Sequence, residues 1–280
     1  PVIKFTLDYF PPLLFLIYRF LITCLILLPI FAILDDKLPE VSKRNIIMIL
    51  LAGLFGTTFN LGLLFWGIDN TTALAAAVIT ATSPVFVVIS GHLFLREKVS
   101  GQEIMGLVVA FAGSLIVTLS PSVEKDGQTL FGNALIFGSI FAWLGYVILT
   151  KRELKDKASP LFLTTSSFLV GLVSLLTFGI FRYGSVADMT DMITSAPPQA
   201  HLGVLYMSIL SGALAYWLYQ EGQKRIEASE ATIFIYLLPV FAAPLAIFWL
   251  GEEITLPFLL GAGTIIIGVV IAEWKKRRQH

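Results

Sequence analysis

Charge is scarce in this chain. Only 14% of its 280 residues are Asp, Glu, Lys or Arg, against about 25% in soluble domains. The 19 basic residues balance 19 acidic ones, so nothing favours a polyanion and nucleic acid is not an expected partner. Cysteine is almost missing. Cys24 stands alone between Thr23 and Leu25, which excludes an internal disulfide and reads as a small packed residue. The three histidines, His92, His201 and His280, are far apart. There is no HExxH, no Cys/His cluster, no Gly-x-Ser-x-Gly and no phosphate loop. Catalytic residues, a metal and a cofactor are therefore not expected, and the chain does not read as an enzyme.

Apolar residues fill the space. They make up 56% of the chain, and the mean hydropathy is +0.85. Nine runs are long enough to cross a hydrocarbon core about 30 Å thick. They cover 12–34, 45–67, 71–95, 102–119, 130–150, 161–181, 202–220, 230–250 and 255–273. The expected partners are the lipid bilayer and a small-molecule substrate, with the chain acting as a monomer.

The runs repeat. Without a gap, Pro84-Val85-Phe86 aligns with Pro239-Val240-Phe241, Leu95 with Leu250, and Glu97 with Glu252, a shift of 155 positions. Under the same shift Gly106 falls on Gly261 and Gly113 on Gly268. Near the start, Lys4 through Pro12-Leu13 matches Lys151 through Pro160-Leu161 with one inserted residue. Residues 1–119 thus form a first copy and 130–273 a second, with a basic tail at 274–280. An apolar segment precedes Lys151, so the first copy is expected to start before Pro1, giving ten spans, five per copy. An odd number of spans makes the second copy enter the membrane inverted. Basic residues agree. If the Lys275–Arg278 tail is cytoplasmic, alternation puts 15 of the 19 basic residues in inner loops. Both termini are then cytoplasmic, in the inner (cytoplasmic) membrane.

The segments Asp8-Tyr9-Phe10-Pro11-Pro12, Tyr18-Arg19-Phe20, Ser83-Pro84-Val85-Phe86 with Leu95-Arg96-Glu97-Lys98, and Leu238-Pro239-Val240-Phe241 with Leu250-Gly251-Glu252-Glu253 resemble the drug/metabolite transporter superfamily in its EamA-like branch. The resemblance covers essentially the whole chain. It implies an all-α polytopic fold of ten helices with a pathway between the halves. It also implies secondary transport by alternating access, with export as the direction. It does not name a substrate, since the branch carries amino acids, other metabolites and drugs.

Polar groups inside a membrane are costly and usually face the protein interior. Ser139, Trp143, Tyr146 and Thr150 recur at i, i+4, i+7 and i+11, one helical face. They read as a pathway wall; helix packing is the competing account. Ser211 and Tyr216 follow on a later helix, with Tyr219 and Gln220 read as belt residues near its end. Asn60 is either a substrate contact or an interhelical clasp. Pro84 and Pro239, near the middle of their helices, read as hinges that free backbone groups beside Thr80, Ser83 and Tyr236. Arg19, with no cation at the matching place near Ser167, reads as a snorkelling cation, with Asp8 or a substrate carboxylate as the competing partner, and Lys151 reads as a surface anchor. No cation is expected at the midplane, which disfavours phosphorylated substrates. An aromatic, hydroxyl-lined cavity suits an amino acid or another neutral or zwitterionic solute, driven by a solute or coupling-ion gradient. The alternatives are a cationic-drug exporter and, further off, a channel or membrane enzyme.

Overall fold

The computed structural model describes residues 1–34, 43–95, 100–118, 128–155, 158–225, 235 and 238–273. Among them the regular structure is helical throughout. The order is α1 (Val2–Leu7), α2 (Pro12–Ile33), α3 (Lys43–Gly53), α4 (Asn60–Asp69), α5 (Ala73–Thr80), α6 (Ser83–Ser90), α7 (Gly101–Thr118), α8 (Gln128–Lys155), α9 (Pro160–Tyr183), α10 (Val186–Thr194), α11 (Pro198–Tyr206), α12 (Ala215–Arg225), α13 (Leu238–Leu250) and α14 (Leu256–Glu273). Three π-helical segments bridge or extend them: Leu54–Phe59 joins α3 to α4, Gly91–Leu95 extends α6, and Met207–Leu214 joins α11 to α12.

Local chemistry accounts for the ends. Pro12 opens α2, and Pro160 opens α9 behind Ser159, whose hydroxyl accepts from Phe162 N at 3.0 Å. Gly184, at φ 92°, ends α9 where a side chain would be strained. Among the described residues six helices meet the length and hydropathy needed to cross a membrane: Pro12–Ile33, Arg44–Asp69, Ala73–Leu95, Leu130–Leu154, Pro160–Tyr183 and Pro198–Arg225. The other three expected runs fall on the shorter apolar helices α7, α13 and α14, and part of 230–250 lies outside the described residues. The chain is an all-α polytopic membrane protein.

The helices fall into two compact units. One holds Gly67–Leu144 and Glu227–His280; the other holds Val2–Trp66 and Gly145–Ile226. Each draws helices from both sequence copies.

In the first unit α7 packs along α14. A Cβ on Gly113 would lie 2.7 Å from Gly261 O, and one on Gly268 would lie 2.6 Å from Gly106 O. Gly106 and Gly261 are repeat partners, as are Gly113 and Gly268, so the two contacts exchange under the 155-residue shift. Such exchange is the mark of a two-fold relation. Position 106 meets 268 while 113 meets 261, so the two helices run antiparallel.

The second unit repeats the argument. α2 and α9 are equivalent under a shift of 148, which places Pro12 on Pro160. Ile17 approaches the Gly179 position, Phe20 meets Phe168 at 5.2 Å, and Phe31 meets Phe162 at 6.0 Å, so these helices are antiparallel too. Phe20 touches its own repeat image. Around it Gly171 abuts Thr57, and Gly212 abuts Thr23. These contacts also exchange, since Thr23 corresponds to Gly171 and Thr57 to Gly212. The π segments Leu54–Phe59 and Met207–Leu214 overlap under the 155-residue shift. The copies are inverted.

The prolines sit differently from expectation. The helix expected over 71–95 breaks at Ala81–Thr82, and Pro84 lies in the first turn of α6, as Pro239 does in α13. A proline is tolerated there because its missing N–H has no intrahelical acceptor to serve. The prolines inside helices are Pro29 in α2 and Pro244 in α13.

Candidate functional site

Two expected site residues, Tyr146 and Tyr216, meet in the second unit, which also holds Ser211. Tyr146 is fully buried, and its ring lies over Gly56, where a Cβ would come within 2.3 Å. Its hydroxyl accepts from Gln220 Nε2 at 2.7 Å. Tyr216 is buried, its ring 5.9 Å from that of Tyr146 and 5.0 Å from that of Phe168. Ser211 is half-buried and accepts from Arg19 Nη2 at 3.3 Å. Asn60, also in this unit, is buried where the π segment passes into α4. Gln220 is buried rather than part of an interfacial belt, and its Oε1 has no hydrogen-bond partner among the described residues.

Toward the end of α8 the polar chain continues. Thr150 Oγ1 donates to Gln223 Oε1 at 3.3 Å, and Gln223 Nε2 donates to Tyr219 OH at 3.0 Å. Lys151 is buried and donates to Gln223 O, so it is not a surface anchor. Its ammonium stays on this helix end because a backbone carbonyl receives it.

Arg19 corrects the sequence reading most. It does not snorkel. The side chain is 1% exposed, its Nε donates to Met207 O at 3.1 Å, and its Cζ lies 5.4 Å from the Phe65 ring centroid. A cation expected to reach outward is thus buried on a membrane-length helix. Depth along a helix says how far a cation must reach; the neighbouring helices decide which way it points. The usable signal was the asymmetry, with Ser167 at the matching place in the second copy.

The other expected residues belong to the first unit. Thr80 is half-buried at the end of α5. Ser83 is buried and its Oγ has no hydrogen-bond partner among the described residues. Ser139 is buried with its hydroxyl donating to Ile136 O at 2.6 Å, one turn back on its own helix. Trp143 is half-buried. Tyr236 lies outside the described residues, and so do Arg96, Glu97 and Lys98. No group of His, Cys, Asp and Glu among the described residues is arranged to hold a metal ion.

Sequence reasoning also passed over His201. Its Nε2 lies 3.2 Å from Ala196 O and its Nδ1 3.1 Å from Tyr18 OH. A carbonyl only accepts, so Nε2 carries the proton, and Nδ1 of a neutral ring accepts from the tyrosine. The sequence interval between Tyr18 and His201 hides this pairing, which only the fold produces.

The profile of the EamA-like transporter family matches residues 1–119 and 130–274. Among similar proteins, the uncharacterized transporter YyaM of Bacillus subtilis (strain 168) is 26% identical over 271 residues, covering 96% of this chain and 87% of that protein. A probable terminal-alkyne amino-acid exporter of Streptantibioticus cattleyicolor is 24% identical over 229 residues, 81% of this chain and 73% of the relative. One solved crystal structure superposes with a TM-score of 0.71 at 16% identity, covering 99% of this chain and 92% of the other, and so shares the fold. With both copies matched and the inverted helices in place, the chain belongs to the EamA-like transporter family.

Proposed function

We propose that this transporter is a secondary carrier that exports an amino acid, or a similar neutral or zwitterionic solute, by alternating access. The observation that carries the proposal is the Tyr146–Gln220–Tyr216 group, buried within membrane-length helices. Hydroxyls and an amide donate and accept without bringing net charge, while aromatic faces take an apolar side chain. Asn60, Tyr146, Ser211 and Tyr216 are the substrate contacts we assign in this unit. The export activity named for the Streptantibioticus relative supports the same class. The distribution of Lys and Arg supports a cytoplasmic-membrane protein with both termini inside.

Counterflow tests this. Proteoliposomes holding the full chain are preloaded with one unlabelled amino acid, and uptake of the labelled form is followed. Saturable, transient accumulation is expected for at least one of the twenty. Accumulation of a lipophilic cation with none for any amino acid would replace the reading with drug export.

We further propose Pro84 and Pro239 as the joints of the cycle. Without an N–H at 84, α5 cannot continue its ladder through Thr80 O, and a bend there costs little. Pro84→Ala restores the donor and is expected to hold the carrier in one facing state. Engineered cysteines in a Cys24→Ser background, labelled from each side, should then react from one side only. Unchanged two-sided labelling with unchanged transport would leave the prolines as static shape elements.

A further inference from the structure

A guanidinium has five N–H donors. The structure accounts for two on Arg19, one from Nε to Met207 O and one from Nη2 to Ser211 Oγ. Nη1 is buried and has no hydrogen-bond partner among the described residues. Among the described residues no carboxylate stands within ion-pair distance of Arg19. A charge inside a membrane protein normally pairs with another group or serves a solute.

Symmetry sharpens the point. The backbone at 19 and at its image 167 does the same work in both copies: Arg19 O accepts from Thr23 Oγ1 at 2.9 Å and from Ser208 Oγ at 3.2 Å, and Ser167 O accepts from Thr57 Oγ1 at 2.8 Å. The helix crossing is thus held by carbonyls in each half. It needs no side-chain charge, since the second copy makes it with serine. The guanidinium is an addition at one of two equivalent places.

Its bound edge and free edge differ. Nε and Nη2 are anchored on the π segment Met207–Leu214, which fixes the plane of the fork. Three donors remain, two on Nη1 and one on Nη2; the Nη1 donor nearer Nη2 and the remaining Nη2 donor form the pair that meets the two oxygens of a carboxylate side by side. Phe65 lies across the group and limits access by water. A carboxylate presents two acceptor oxygens side by side to match that edge, so it is the group Arg19 selects.

We propose that Arg19 is the carboxylate-binding residue of the transport site, so that the solute is a carboxylate-bearing one. This rests on the transport reading above and adds the chemical group recognised.

The test uses the full chain in detergent, with thermal stabilisation as readout. Three matched series are titrated: the twenty amino acids, their carboxamides, and their decarboxylated amines, with inorganic phosphate alongside. Amino acids are expected to stabilise the protein, and their carboxamides to bind at least tenfold more weakly. Arg19→Gln should bring acid and amide to equal affinity, and Arg19→Lys should keep a reduced preference for the acid. The wild-type comparison stands even if Arg19→Gln fails to fold. Equal binding of acids and amides by the wild type overturns the carboxylate assignment and leaves the amino-acid reading intact. Stabilisation by phosphate alone overturns the assignment as well. Binding of amines alone, or of no compound, overturns both.

Discussion

Replacing Gly268 by alanine is expected to remove most of the folded protein from detergent extracts, while Gly263→Ala leaves the yield unchanged. Both glycines lie in α14 and both substitutions add one methyl group. At 268 the new carbon would sit 2.4 Å from Ala110 N and 2.6 Å from Gly106 O. Those atoms belong to the backbone of α7, so no side chain can rotate away and the helix itself must shift. At 263 nothing lies within 4 Å. Membrane helices associate through close packing rather than hydrophobic exclusion, so widening this crossing costs contacts along both helices. Overpacking costs about 1–3 kcal/mol in soluble cores, and a backbone collision belongs at or above the upper end. Gly113→Ala tests the symmetry as well, because its Cβ would meet Gly261 O at 2.7 Å. It is expected to match Gly268→Ala. The readout is the monodisperse fraction on size-exclusion chromatography. Folded yields for Gly268→Ala and Gly263→Ala that cannot be told apart would sink the packing argument.

The second large effect is expected at Glu252. Just past the end of α13, Gly251 takes φ 68° and turns the chain so that Glu252 reaches α5. Its Oε1 accepts from Ala73 N at 2.6 Å and its Oε2 from Leu74 N at 2.8 Å. Thr72 caps the next donor, Ala75 N, at 3.0 Å. The first turn of α5 therefore has its orphan donors met by one carboxylate and one hydroxyl, and the carboxylate also suits the positive helix end. Hydrogen bonds to a charged group contribute about 1.5–3 kcal/mol each, less where the carboxylate is half-exposed, as here. A net loss of about 2 kcal/mol for Glu252→Ala, or roughly 5 °C in melting temperature, follows. Glu253→Ala, at an exposed neighbouring position, should change nothing measurable. Equal melting temperatures for the two variants would show that the cap contributes nothing.

Much of the fold was legible in the residues because its signals are local and repeated. Apolar length marks a span, and a fixed shift between Pro84 and Pro239, or Gly106 and Gly261, marks a duplication. The clustering of cations marks inversion. For the candidate site, inward placement was legible in part. Tyr146, Ser211 and Tyr216 read as interior groups because a polar side chain deep in a span must be satisfied somewhere, and the structure buries both tyrosines and half-buries the serine. Arg19, Gln220 and Lys151 were misread because nearness to a helix end looks the same whether the side chain turns outward or inward. That choice is made by a neighbouring helix, such as the one presenting Met207 O and Ser211 to Arg19. The π segments were not legible in the apolar pattern, since a run apolar on nearly every face has no phase for an extra residue to shift.

Those π segments bear on the history of the chain. A π turn is the form a helix takes when it holds one residue more than its α ladder accommodates. Leu54–Phe59, moved by 155 positions, falls on Ile209–Leu214, inside the second segment. The simplest ancestry has the insertion occurring once, in a half-length gene, before that gene doubled. Arg19 has no such twin. The charge thus sets apart two halves that the π segments make alike.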